Sequence, residues 1–152
     1  MDPTALTGAG VAAGVFAAAS AAGVWLRRSS GRMRPAADRG GTPSEPAPLP
    51  GGLGLTPGTP ATLLQFSSAF CAPCRATRRV CAEVARTLAG VRHVEIDAES
   101  HLDAVRALGV WRTPTVLVVD GAGRVVRRAT GVPTRAQVVA AVAPLLPEVV
   151  AP

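Results

Sequence analysis

"FCAPCRATRRVC", residues Phe70 to Cys81, holds all three cysteines of a 152-residue chain. Cys71 and Cys74 are separated by an Ala-Pro pair, and Cys81 follows seven residues after Cys74. Upstream, "ATLLQF" (61–66) is a short apolar run suited to a buried strand. Downstream, Pro73 to Leu88 reads as a helix. Val80, Cys81, Val84, Ala85 and Leu88 fall on one face, Arg75, Arg78, Arg79 and Arg86 lie largely elsewhere, and Gly90 can end it. Cys71 therefore sits just before a first helical turn, where backbone N–H groups are unpaired and the dipole is positive.

That position favours a thiolate. A free thiol has a pKa near 8.5, and CxxC sites of this kind bring it to about 3.5–7.5. Arg75 and Arg78 add positive charge nearby. Cys74, one turn further in, is less exposed and placed to resolve a mixed disulfide. Pro73 suits the start of a helix because its missing N–H is not needed there. Zinc needs four ligands in a closed site. Beyond the pair only Cys81, His93 and His101 are candidates, with no second CxxC and no HxxxH. A purely structural staple is also poor, since a two-residue loop restricts the unfolded chain little. The pair reads as redox-active, with no metal or organic cofactor required.

The chain beyond the helix alternates cleanly. "VRHVEID" (91–97) is a second strand, and Ser100 can cap a helix carrying Asp103 and running to Leu108, with Gly109 as its stop. "TVLVVD" and "RVVRRAT" flank "GAG", a hairpin signal in which Gly121 and Gly123 serve the turn. Thr134 can cap a last helix presenting Val138, Val139, Val142, Leu145 and Leu146, with Pro144 and Pro147 near its end. The order β-α-β-α-β-β-α implies a mixed sheet with helices over it. Cys81 reads as a small core residue, and Asp97, Glu99 and His101 as solvated groups.

Before the folded unit lie two segments of different character. Residues 5–26, "ALTGAGVAAGVFAAASAAGVWL", carry no charge and no proline. As a helix they span about 33 Å, against roughly 30 Å of bilayer hydrocarbon. Trp25 stands where an interfacial aromatic belongs, and Arg27, Arg28, Arg32 and Arg34 follow. Residues 1–34 are expected to be a transmembrane anchor with a basic flank, touching the lipid bilayer through residues 5–26. A cleaved signal peptide or a buried helix is the alternative, although no positive n-region precedes the run. The arginines put the C-terminal bulk on the cytoplasmic side of a cell membrane, crossed once, with the extracytoplasmic side as the other topology. Residues 35–60 are rich in Pro and Gly and read as a tether. The domain is expected over 61–152.

The net charge of +6 comes wholly from arginine, and there is no lysine, asparagine or tyrosine. The arginines are scattered without aromatic interleaving, so nucleic acid is not an expected partner.

At "LLQFSSAFCAPC" and "VEIDAESHLDAVRALGVWRTPTVLVVDGAGRVVRRATG" the chain resembles the thioredoxin family, over residues 61–146. The resemblance implies Cys71 as nucleophile, Cys74 as resolving cysteine, Pro114 in cis facing them, and Thr113 offering backbone hydrogen bonds to a bound peptide. Phe70 stands where the family has tryptophan, and Ala-Pro where it has Gly-Pro. Gln65 matches the buried acid beneath the site and His93 the lysine that accompanies it, which alters proton transfer from Cys74. The family's N-terminal strand and first helix have no counterpart, which leaves a minimal α/β fold with a four-stranded mixed sheet. Trp111 is either a contact for protein substrates or a packing residue, and Phe70 and Pro73 complete the substrate side. The implied activity is thiol–disulfide exchange on protein substrates. Its reductant is unidentified, a thioredoxin reductase or another. Rival readings are an extracytoplasmic reductant for cytochrome assembly or peroxide-linked redox, and an interaction module without turnover.

Overall fold

The computed structural model describes residues 3–36, 49 and 51–147. Half of the tether expected at 35–60, and the end of the domain at 148–152, lie outside the described residues. Two compact units divide the chain at Ser30, Met1–Ser30 and Gly31–Pro152.

The first unit is a helix, α1, Pro3–Ser29. Nine of its 27 residues are alanine and four are glycine, which gain little on leaving water. Among the described residues, no helix is long and apolar enough to cross a membrane. The stretch expected to be a transmembrane helix is helical, and the described part of it does not reach the length and apolarity of a span. Val11, Val15, Phe16, Val24 and Trp25 on it are exposed.

The second unit is built on a mixed sheet. Its strands are β1, Arg34–Pro35, β2, Ala61–Ser67, β3, Val91–Asp97, β4, Thr115–Asp120, and β5, Val125–Thr130, in the order β1-β5-β4-β2-β3. Only β2 and β3 run parallel. Helices α2, Ala72–Thr87, α3, Leu102–Ala107, and α4, Arg135–Val142, with a 3-10 turn at Ala143–Leu145, complete it. Five strands replace the expected four. The added strand is two residues long and pairs Arg34 with Arg128 and Pro35 with Arg127 at the sheet edge. Gly31 makes the approach possible: its N–H donates to Thr130 O at 2.6 Å. Its φ is +80°, and a Cβ there would strike the Val132 carbonyl.

Strand alternation assigns the two cores. Leu63, Val116 and Val118 face α2 and α4 and pack with Cys81, Val84, Val138 and Val142. Leu64, Phe66, Leu117 and Val119 face the other way and pack with Ala104, Leu108 and Val110. Leu53, from the stretch read as a tether, is buried in this second core, with Leu49 and Leu55 packed against it. The reason is physical: a short α3 leaves apolar sheet surface that these leucines cover.

Helix α3 starts later than expected. His101 is its N-cap, without a side-chain hydrogen bond. Ser100 instead donates to Asp97 Oδ2 at 2.6 Å, while Glu99 N donates to Asp97 Oδ1. Asp97 therefore organises the strand end and draws Ser100 away from the helix. Thr134 does cap α4, in a reciprocal capping box with Gln137.

Candidate active site

The parallel pair β2–β3 and the helix that joins them place the cysteines. Strand β2 ends at Ser67, and the chain then turns through Phe70, whose φ of 55° is uncommon for a residue with a side chain. That turn leaves the Phe70 ring fully exposed and starts α2 at the next residue but one. Cys71 is the N-cap of α2, and its Sγ accepts the backbone N–H of Cys74 at 3.1 Å. Pro73 lies in the first turn, where no donor is missed.

Cys71 and Cys74 form a disulfide with an S–S distance of 2.01 Å. Their surroundings differ sharply. Cys71 is half-buried, whereas Cys74 is 2% exposed. Only the first sulfur can be met from outside. Cys81 is a free, fully buried cysteine inside the core. Burial, and secondarily the charge of Glu95, pushes its thiol up to about 12. It keeps its proton at any physiological pH.

Beneath α2 lies a polar cluster. Gln65 is fully buried, and its Nε2 reaches Ser67 Oγ at 2.8 Å and the Cys74 carbonyl at 3.0 Å. His93 Nε2 lies 3.2 Å from Gln65 Oε1, so the two positions singled out in the sequence are in contact. Burial lowers the His93 pKa, Arg78 adds to the effect and Glu95 opposes it, so the imidazole is held towards its neutral form.

The carboxylate of this cluster is one the sequence reading passed over. Glu95 Oε1 accepts from Ser67 Oγ at 2.6 Å and from Arg78 Nη2 at 2.9 Å, while Arg78 Nε donates to Oε2. Partial burial works against its ionisation. The hydrogen bonds from Arg78 and Ser67, with the Arg78 charge, outweigh that and hold the carboxyl below its usual range. Arg78, read as added positive charge near Cys71, is thus engaged by Glu95. Alternation puts Val91, His93 and Glu95 on one strand face, but the parallel register that sets Gln65 beside Glu95 is visible only in the fold.

The remaining positions cluster in a second loop. The Thr113–Pro114 peptide bond is cis and Pro114 is buried. Thr113 Oγ1 lies 2.9 Å from Ser68 Oγ, which ties this loop to the one before Cys71. Trp111 is 93% exposed, so its ring is a surface group and fills no core.

A half-buried cysteine at a helix N-terminus, disulfide-linked to a buried one a turn later, on a mixed α/β sheet, defines a thiol–disulfide exchange site. The family model that describes thioredoxin matches residues 56–144. The chain belongs to the thioredoxin family. With its Cys71–Cys74 pair it is a protein-disulfide oxidoreductase. No curated protein matches the chain. Among solved structures it is similar to a mutant thioredoxin from Halobacterium salinarum NRC-1, with 20% identity and a TM-score of 0.55 over 60% of this chain and 79% of that one. It is also similar to chloroplastic thioredoxin z, with 26% identity and a TM-score of 0.51 over 56% of this chain and 77% of that one. A third is mitochondrial thioredoxin 3 from Saccharomyces cerevisiae in its oxidized form, with 16% identity and a TM-score of 0.50 over 57% of this chain and 79% of that one.

Proposed function

We propose that the chain reduces disulfides of protein substrates while held at a membrane by residues 5–26, its domain on the cytoplasmic side. The observation that carries the redox part is the difference in exposure between the two linked sulfurs. In the reduced protein, Cys71 Sγ stands at the start of α2, where the N–H of Cys74 and the helix dipole favour its thiolate. The thiolate attacks one sulfur of the substrate disulfide. A bond forms from Cys71 to that sulfur and the other substrate sulfur leaves as a thiolate. Cys74, deprotonated, then attacks Cys71, closing the disulfide seen here and releasing the second substrate thiol. Two electrons pass to the substrate, and an external dithiol reductant must restore the pair.

Exposed Phe70 and Trp111 offer apolar surface to a protein segment lying across the site. The membrane part is supported by the uncharged run of 22 residues and the arginines behind it. In an insulin-type turbidity assay, Cys71→Ser abolishes reduction and Cys74→Ser accumulates a covalent substrate adduct. If both variants match the parent, the exchange mechanism is wrong. For the tether, the full chain should stay in the membrane pellet after an alkaline wash, and Cys71 in intact cells should resist an impermeant thiol reagent. Release by the wash removes the anchor, and ready labelling reverses the orientation.

A further inference from the structure

Gln65 Nε2 carries two protons and has three acceptors in reach: Ser67 Oγ at 2.8 Å, the Cys74 carbonyl at 3.0 Å and Glu95 Oε1 at 3.3 Å. The Ser67 hydroxyl donates its one proton to Glu95 at 2.6 Å, because an ionised carboxylate can only accept. Ser67 Oγ is then left to accept from Gln65. The second Gln65 proton falls on the Cys74 carbonyl. At the far end of the amide, Oε1 faces His93 Nε2. Reversing the amide would set an oxygen against the Cys74 carbonyl, so the chain of hydrogen bonds has one direction. Glu95 fixes its start, by taking the Ser67 proton and leaving that oxygen to accept from Gln65.

Glu95 also takes the fork of Arg78, which lies four residues after Cys74 and so on the same side of α2. Two successive turns of α2 are therefore fastened to the sheet by links that meet at one carboxylate. One holds the backbone of Cys74 and the other the turn behind it.

We propose that Glu95 is a positioning residue for the closing half of the exchange: through Ser67 and Gln65 it holds the Cys74 carbonyl, and through Arg78 the next turn, so that Cys74 Sγ is delivered onto Cys71. It touches neither sulfur. In the step it serves, the Cys74 thiol gives its proton to water and the thiolate attacks Cys71. A bond forms between Cys74 and Cys71, the bond from Cys71 to the partner sulfur breaks, and the partner leaves as a thiolate that takes up a proton from water. That reaction joins two groups of one chain, so its equilibrium is governed by how well they are placed. The proposal rests on the redox reading above.

The test needs no protein substrate. The full-length protein is equilibrated with reduced and oxidised glutathione and quenched in acid, and the Cys71–glutathione adduct and the closed disulfide are quantified by peptide mass mapping. The ratio of closed disulfide to adduct, multiplied by the concentration of reduced glutathione, gives the effective concentration of Cys74 towards Cys71. Glu95→Gln and Ser67→Ala should each lower it about tenfold, about 1.4 kcal/mol, while the rate at which Cys71 takes up oxidised glutathione stays within about twofold of the parent. Glu95→Asp, which keeps the charge, should recover part of the loss. The double variant should fall no lower than the worse single, because both cut one chain of bonds. Parental closure in both single variants overturns the proposal, even where their unfolding temperatures drop, and so does an additive double. If the parent itself forms neither adduct nor closed pair, the redox reading falls and this proposal with it.

Discussion

Glu95 and His93 stand two residues apart on β3 and both tie stability to pH on the acid side. The folded Glu95 carboxyl titrates below its ordinary 4.5, so its stabilisation is complete above that value and is lost as pH falls through the folded one. The folded imidazole of His93 titrates below its ordinary 6.5, so the unfolded chain takes up that proton first and stability declines as pH drops from 6.5. The unfolding temperature should fall in two stages between pH 8 and pH 3. Glu95→Gln should shrink the lower stage, which Asp97 and Asp120 share because their carboxyls are also held below the ordinary range. His93→Gln, which can keep a bond to Gln65, should remove the upper one. A lower stage of unchanged size in Glu95→Gln would assign it to those aspartates. Cys71, Cys74, Gln65 and His93 were legible in the sequence because each follows from spacing or from family position. Glu95 was not, since its role depends on which strand residue stands beside Gln65, and parallel register is set by the fold as a whole.

The regular elements were the most readable part. Strands β3 and β4 have the expected limits, and α2 starts one residue early, at Ala72. Hydrophobic periodicity carries such elements because each buries one face. The linker and the edge were misjudged for the opposite reason. Leu53 has no periodic neighbours in its Pro/Gly surroundings, yet it is 3% exposed against the second core. Leu53→Ala should cost about 2–5 kcal/mol in denaturant unfolding, as for a buried leucine, whereas a true tether residue would change nothing measurable. Strand β1 is too short to show any alternation. Its pairing is local to Arg34, Pro35 and the β5 edge, and only the close approach of Gly31 to Thr130 reveals why the chain turns there. Ser100 is not the cap because the helix starts one residue later, with His101 at that position, and the Ser100 hydroxyl is turned back to donate to Asp97.

On the scale of the whole molecule, the order of exposure at the disulfide matters beyond its own chemistry. Cys71 is half-buried and within reach of solvent, whereas Cys74 is buried. Everything that gives electrons to the couple, and everything that takes them, must come through the same doorway at Cys71. Donor and acceptor then cannot be seated together. Initial rates measured against substrate at several reductant concentrations should give parallel reciprocal plots, the pattern of a shuttle that is emptied before it is refilled. Lines that intersect would mean a second entrance. A single gate also means that an abundant acceptor excludes the donor simply by occupancy, so turnover slows when either partner crowds the threshold.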